Sequence, residues 1–184
     1  MVRALLLFII ILLFQNCCYN GFRNNYNIPR SKKVGFYNEF DNTIFNEIDT
    51  SCVYEGIGYY KNNKVILYKD YSHGKIFIKF YSKGRIAKFT GIGFDQKLFK
   101  TTTDYKIIKN DFDSSKAYMG YYIKENYTIT ANQFLNNQCQ MFWVKSEIIV
   151  KKDTLIQKYN RFYNNIVYFK RILPKEFLIY KPDW

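Results

Sequence analysis

The sequence predicts an all-β protein, an antiparallel up-and-down meander of about nine or ten strands that closes, or nearly closes, into a barrel. Aromatic residues make up 20% of the chain, and tyrosine and phenylalanine favour strands. Apolar and polar residues alternate along successive short segments, as in a sheet with one buried face. Turn dipeptides separate these segments at short intervals. A two-sheet sandwich is the alternative arrangement.

The clearest hairpin spans Lys75–Gly93. A two-residue turn after Ser82 would place Ile78 opposite Phe89 and collect the apolar residues of both strands on one face. A three-residue loop would instead align Ile78 with Lys88 and mix the faces. The sequence therefore favours the two-residue turn.

The other hairpins are predicted around dipeptides that suit tight turns. The predicted turns lie at Asn62-Asn63, Glu125-Asn126, Lys152-Asp153 and Asn164-Asn165. With these turns, Gly120 faces Ala131, and Glu147 faces Lys158 as a favourable cross-strand pair. The longest interruption of the strand pattern is Phe94–Lys116, which we interpret as a functional loop at the mouth of the barrel.

The N-terminus predicts export. Residues 1–16 are interpreted as a signal peptide, because Arg3 precedes eleven apolar residues, Ala4–Phe14. This length suits a signal-peptide core and is short for a membrane span, which needs about 20 residues. The next cysteine, Cys17, resembles the lipidated residue of bacterial lipoproteins, although Asn16 departs from the small residue usual before it; Cys18 is the alternative. An ordinary cleaved signal and an uncleaved anchor are the other interpretations.

Two further regions follow the signal peptide. Residues 17–48 are interpreted as a lipid-proximal tether with a closing turn or short helix, and residues 49–184 as the barrel domain. The tether is basic, since residues 19–38 contain no acidic residue. Apolar residues at four-residue intervals predict the closing element, namely Phe36, Phe40, Ile44 and Ile48.

The net charge of +13 has two explanations. It could attract a polyanion, such as nucleic acid or an anionic membrane surface. It could also reflect a low-GC genome, because lysine has AT-rich codons. The lysines are scattered and form no long run, which favours this second explanation. The export signal and the lack of a recognisable nucleic-acid-binding pattern argue against a nucleic-acid partner.

No catalytic or metal-binding constellation is recognisable, so we predict neither an enzyme nor a cofactor. The single histidine, His73, falls in a predicted turn, and no G-x-S-x-G motif is present. Asp111 and Asp113 begin like a calcium loop, but Lys116 and Tyr122 stand where that loop needs Gly and Glu. The four cysteines show no C-x₂-C spacing, which argues against zinc.

Cys52 and Cys139 are the only cysteines of the predicted barrel domain. In an oxidising compartment they could form a disulfide. Two buried free thiols fit the sequence equally well.

The interior of the predicted barrel is apolar. Such residues either fill a core or line a cavity for one small apolar molecule. The predicted lining residues are Ile57, Tyr59, Ile66, Tyr68, Ile76, Ile78, Phe80, Phe89, Tyr122 and Ile129.

Four segments carry a family resemblance. They read KFYSKGRIAKF from Lys79, GYYIKENYTITANQF from Gly120, KKDTLIQKY from Lys151 and KPDW from Lys181. In this order they resemble small uncharacterised lipoproteins of Bacteroidetes-type bacteria with lipocalin-like (calycin-type) barrels, over roughly Asp49 to Trp184. The resemblance implies the architecture and supplies no catalytic residue.

The expected function is therefore that of a lipid-anchored, extracytoplasmic protein of a bacterial cell envelope. It would bind a small apolar ligand or a partner protein without catalysis. The alternative is a structural or assembly factor of the envelope, with a packed barrel and no ligand.

Overall fold

A computed structural model of the chain describes residues 21–31, 42–62, 64–69, 74–95, 100–101, 106–137, 140–160 and 164–184. These residues form eleven strands and four short 3-10 helices. The strands are β1 (Val53–Lys61), β2 (Lys64–Leu67), β3 (Lys75–Tyr81), β4 (Arg85–Ile92), β5 (Phe94–Asp95), β6 (Lys100–Thr101), β7 (Tyr118–Glu125), β8 (Thr128–Asn137), β9 (Gln140–Lys151), β10 (Thr154–Tyr159) and β11 (Ile166–Arg171). The 3-10 helices are Asn42–Asn46, Lys109–Phe112, Ser114–Lys116 and Lys175–Phe177.

Nine strands form one antiparallel sheet in the order β11-β10-β9-β8-β7-β4-β3-β1-β2, and β11 also pairs with β1. This last pairing closes a barrel of eight strands and leaves β2 outside the ring. The prediction of an all-β meander that closes into a barrel is confirmed. Closure leaves no free sheet edge within the ring itself, which removes a site of edge-to-edge aggregation.

The barrel encloses a cluster of buried side chains, the interior core, to which all eight ring strands contribute. Its members are Ile44, Ile48, Cys52, Tyr54, Ile78, Phe80, Ile86, Tyr122, Ile129, Ala131, Leu135, Ile148, Leu155, Tyr159, Ile166 and Tyr168.

The 3-10 helix Asn42–Asn46 closes one end of the barrel, because Ile44 and Ile48 belong to the interior core. Ion pairs tie the same segment to the ends of two strands, Glu47 to Lys124 of β7 and Asp49 to Lys170 of β11. We call this the closed end and the opposite end the far end.

The predicted turn of the central hairpin is wrong. Tyr81 lies opposite Arg85 and Ile78 opposite Lys88, so β3 and β4 are joined by a three-residue loop. Gly84 adopts a φ of 68° in that loop, a conformation that glycine accepts without strain. Lys88 thereby faces the barrel interior, and Phe89 faces outward. The prediction assumed that only one face of the hairpin is buried, whereas both are.

A second cluster, the outer core, buries the outer face of this hairpin. Phe112, in a connection between strands, packs edge-to-face on Phe77 and Phe89, with ring centres 5.2 and 5.4 Å apart. The members are Val53, Phe77, Tyr81, Ala87, Phe89, Ile107, Phe112 and Ala117, with Ile92, Leu173, Phe177, Leu178 and Trp184 packed against them. Residues 107–117 of the predicted mouth loop thus cover the barrel wall.

The remaining turns are mostly as predicted. Glu147 lies opposite Lys158, and the β1–β2 turn falls at residues 62–63. The β7–β8 turn is shifted by one residue, because Glu125 pairs with Thr128. The turn therefore begins at Asn126, which has a φ of 57°. Consequently Gly120 lies opposite Gln133 and not opposite Ala131. β11 pairs with β10, and residues 161–163 of the last predicted hairpin lie outside the described residues.

Residues 21–31, the described part of the predicted tether, lie against the barrel. Arg30 is 4% exposed and donates to Asp183 Oδ1 from Nε (3.1 Å) and Nη2 (3.0 Å), and to the Ala117 carbonyl (2.9 Å). Its guanidinium also lies 5.1 Å from the centre of the Trp184 ring. Arg30 is therefore a packing residue and is not available to a membrane surface. Phe36 and Phe40 lie outside the described residues.

We predict that both faces of the β3–β4 hairpin contribute to stability. Phe80 and Phe89 are at most 1% exposed in the interior and outer cores, whereas Phe169 is 49% exposed. Phe80→Ala and Phe89→Ala should each lower the free energy of unfolding by about 3–5 kcal/mol. The control, Phe169→Ala, should lower it by about 1 kcal/mol or less. Urea unfolding measures all three, and a cost for Phe89→Ala no larger than that for Phe169→Ala would contradict the two-faced core.

Candidate functional site

Six polar side chains meet inside the barrel, and we call them the interior polar network. They are Lys88 of β4, Gln133 of β8, Ser146 of β9, Gln157 and Tyr159 of β10, and Tyr168 of β11. None is more than 8% exposed. Burying polar groups costs free energy unless they are hydrogen-bonded. A cluster of them inside an otherwise apolar barrel is therefore the candidate functional site.

The alternation of strand side chains places the network inside the barrel. Each member either belongs to the interior core or lies two positions along its strand from an apolar residue of that core. Tyr159 and Tyr168 are themselves core members, and the pairs are Lys88 with Ile86, Gln133 with Ala131, Ser146 with Ile148, and Gln157 with Leu155.

The network lies toward the far end of the barrel. Lys170, near the end of β11, is bound to Asp49 at the closed end, and β10 runs antiparallel to β11. β10 therefore finishes toward the far end, at Tyr159. The half nearer the closed end is filled by aromatic rings, with Phe80 5.7 Å from Tyr54 and 5.0 Å from Tyr122 between ring centres.

Gln157 is the hub of the network. Its Nε2 donates to Gln133 Oε1 (2.7 Å) and to Ser146 Oγ (2.8 Å). Its Oε1 accepts from the hydroxyl of Tyr159 (2.8 Å) and from that of Tyr168 (3.3 Å). Donors and acceptors of this amide are all engaged, so its orientation is fixed.

Lys88 supplies the positive charge of the network. Its Nζ donates to the Tyr159 hydroxyl at 3.2 Å and lies 5.4 Å from the centre of the same ring. Burial lowers the pKa of the Lys88 ammonium from 10.5 to about 8, because a low-polarity environment disfavours the charged form. Lys88 thus carries its proton at neutral pH and loses it at mildly alkaline pH.

Gln133 has a spare donor. Within the described residues its Nε2 has no hydrogen-bond partner, although the side chain is 0% exposed. A buried donor without a partner costs about 1–3 kcal/mol. A hydrogen-bond acceptor that enters the barrel would remove this cost. Together with the Lys88 ammonium, the free donor favours an acceptor-rich or anionic group.

Five of the ten predicted lining residues lie where the prediction placed them, in or beside the interior core. Ile78, Phe80, Tyr122 and Ile129 are core members, and Ile76 packs against them.

The other five lie elsewhere. Phe89 is in the outer core, because the three-residue loop reverses the faces of β4. Ile57 and Tyr59 are half-buried on β1, close to an irregularity in its pairing with β11. Ile66 is 38% exposed on β2, and Tyr68 lies 6.3 Å from the Tyr59 ring.

The interior polar network was missed by sequence reasoning. Polar residues at inward positions look like interruptions of an apolar stripe, and the assumed hairpin register placed Lys88 outside. Gln133 and Gln157 were the available signal, since each sits at an inward position of an otherwise apolar strand face.

The predicted thiol sites are only partly described. Cys52 is buried, and burial is the main reason that the pKa of its thiol rises to about 11, which makes it a poor nucleophile. Cys139 lies outside the described residues, so the disulfide stays a prediction. Cys17 and Cys18 also lie outside them, and so the lipidation site stays a prediction as well.

The remaining candidates are His73 and the two aspartates of the rejected calcium loop. His73 lies outside the described residues. Asp113 Oδ1 accepts from the Ser115 amide and Asp111 Oδ2 from the Ile108 amide, so both carboxylates cap local turns. Among the residues that the structure describes, no three His, Cys, Asp or Glu side chains come together as metal ligands. Nor does this part of the chain contain a helix long and apolar enough to cross a membrane.

We predict that Lys88 makes stability depend on pH. Its pKa is about 8 in the folded chain and 10.5 as the ordinary value, so the unfolded state binds more protons between these two values. The free energy of unfolding of the wild type should therefore rise with pH through this window, relative to Lys88→Met, by about 3 kcal/mol in total. Chemical denaturation of both proteins from neutral pH to pH 10.5 measures this difference. Parallel stability curves would show that Lys88 titrates normally and is not enclosed.

Comparisons with protein-family models, curated proteins and solved structures found no match to this chain. Its eight-stranded, closed, antiparallel barrel is compatible with a lipocalin-like fold.

Proposed function

We propose that this chain is a non-catalytic binding protein whose barrel holds one small amphipathic molecule, and that it is anchored by lipid in a bacterial cell envelope. The observation that carries the binding function is the interior polar network of an otherwise apolar barrel. Ligand sites in proteins are mostly apolar, with a few polar groups that orient the ligand.

A purely structural core has no need of such a network. Desolvating a lysine, two glutamines and a serine opposes folding unless every polar atom finds a partner. Here the Nε2 of Gln133 finds none within the described residues. An acceptor group of a ligand that reached this atom would complete the network.

The chemistry of the network indicates the class of ligand. Lys88 Nζ and Gln133 Nε2 are both donors, and Lys88 is also cationic at neutral pH. A carboxylate or a similar acceptor group would accept from either donor, and beside Lys88 its charge would raise the pKa of the ammonium back toward the ordinary value. The apolar remainder of the ligand would contact interior-core residues such as Ile78 and Leu135. The sequence alone suggested an apolar ligand, and the polar network is the reason that we propose an amphipathic one.

The cellular location is proposed from the sequence. The apolar run Ala4–Phe14 behind Arg3 and the cysteines Cys17 and Cys18 support export followed by lipidation. The resemblance to small Bacteroidetes-type lipoproteins supports the same location, extracytoplasmic and membrane-anchored.

A structural or assembly role for a packed barrel is the second candidate. It is favoured by the aromatic filling near the closed end, where Tyr54, Phe80 and Tyr122 are at most 2% exposed. In this alternative the polar network would only fix the packing of the core.

Native mass spectrometry of the full-length protein, purified from membranes without denaturation, tests the proposal. We expect one bound small molecule, and an N-terminal peptide that begins at a lipidated Cys17 or Cys18. Lys88→Met should lose the bound molecule and weaken the binding of a long-chain fatty acid, the simplest carboxylate with an apolar body, by about 10- to 100-fold.

The matched control is Lys79→Met. Lys79 is also buried, at 3% exposed, but it faces outward and donates to the Thr50 carbonyl at 2.9 Å. This variant should keep the ligand. A wild type that carries no ligand and takes up no fatty acid would favour the packed barrel. An N-terminus without lipid would rule out the proposed lipid anchor.

A further inference from the structure

The strand outside the ring exposes three consecutive apolar side chains. Val65, Ile66 and Leu67 of β2 are 47%, 38% and 61% exposed. Scattered exposed apolar residues are ordinary. Here Val65 and Leu67 lie on one face of the strand and Ile66 on the other, so both faces of β2 present apolar surface of the kind that marks an interaction site. We call residues 59–69 the β1–β2 hairpin.

The geometry of β1 creates this exposure. Near its start β1 pairs with β3, and from Gly58 onward its same edge pairs with β2. Gly58 permits the contact, because a Cβ at this position would lie 2.9 Å from Leu67 Cα and closer still to the Ile66 carbonyl. Among the described residues β2 has no strand neighbour other than β1, so the barrel wall does not cover it.

The charged side chains within the hairpin are all positive. Lys61, Lys64 and Lys69 are exposed, and residues 59–69 contain no acidic residue. Tyr59, Tyr60 and Tyr68 lie in the same hairpin. Segments that lie in a membrane interface share three features: lysines flexible enough to reach the head groups, tyrosines at the polar boundary, and a small apolar tip.

We infer that the β1–β2 hairpin docks on the surface of an anionic lipid bilayer. Its apolar side chains would enter the boundary between head groups and acyl chains, and its lysines would contact lipid phosphates. The insertion must be shallow, about 5–10 Å. The outer edge of β2 pairs with no other strand of the described residues, and its backbone groups need water or head groups as hydrogen-bond partners.

A second copy of the chain is the less favourable occupant. Antiparallel pairing of two β2 edges would bring Lys64 of one copy near Lys69 of the other, and like charges opposite one another destabilise a sheet. Edge lysines are a common device against such pairing. An anionic surface turns the same lysines into favourable contacts. The inference is independent of the proposed ligand and of how the N-terminus is processed.

A tryptophan placed in the hairpin tests the docking. Leu67→Trp and the control Tyr127→Trp are prepared in the full-length chain; Tyr127 is 97% exposed in the β7–β8 turn, at the closed end. Each is mixed with vesicles of phosphatidylcholine and phosphatidylglycerol whose acyl chains carry bromine. Leu67→Trp should show a blue-shifted emission and bromine quenching beyond that of the parent chain, and Tyr127→Trp should show neither. Absence of quenching at Leu67→Trp, or equal quenching at both positions, overturns the inference, even if the N-terminus holds the protein on the vesicle.

The charge requirement is tested in the same assay. The quenching of Leu67→Trp should fall about tenfold or more in each of two experiments. The first uses vesicles of phosphatidylcholine alone, and the second uses a chain that also carries Lys61→Gln, Lys64→Gln and Lys69→Gln. Undiminished quenching in both experiments would overturn the inference that the hairpin requires an anionic lipid surface. A blue shift that depends on protein concentration and needs no vesicles would overturn the inference in favour of self-association.

Discussion

The pairing of β3 with β4 determines which side chains enter the barrel. A loop of three residues between Tyr81 and Arg85 aligns Ile78 with Lys88, and strand alternation then sends Lys88 inward and Phe89 outward. With a loop one residue shorter, Phe89 would face the interior and Lys88 the outside. The interior polar network, the proposed ligand chemistry and the outer core all depend on this single register.

A register that turns Phe89 outward needs a cover on the outside of the barrel. The cover consists of residues 107–117 and the C-terminal residues 173–184, which pack on the outer face of β3 and β4. Arg30 fastens it, because its guanidinium bonds the Asp183 carboxylate and the Ala117 carbonyl at once. Charge-assisted bonds of a buried arginine are among the stronger polar contacts in proteins. Residues 21–31 and the C-terminal residues 173–184 therefore belong to the folded domain and do not simply flank it.

The sequence was sufficient for the architecture and insufficient for the site. Alternation and turn dipeptides predicted the meander and the pairing of Glu147 with Lys158, because these depend on local patterns. Closure was predicted from the general disadvantage of exposed sheet edges. The inward position of Lys88 depends on contacts distant in sequence. The register that turns Phe89 outward needs a cover for that ring, and Phe112 and the C-terminus supply it. Such contacts between distant residues have no signal in hydrophobic periodicity. The predicted β7–β8 turn was displaced by one residue, because Asn126 with its positive φ begins the turn and does not end it.

The register of β3 and β4 is most directly measured by NMR. We expect cross-strand nuclear Overhauser effects between the backbones of Ile78 and Lys88. We also expect contacts from the Lys88 side chain to the Tyr159 ring. Contacts between the backbones of Ile78 and Phe89, with Lys88 in free exchange with solvent, would contradict the account. In that case the polar network would not exist as described, and the barrel would be an apolar core without a charged group.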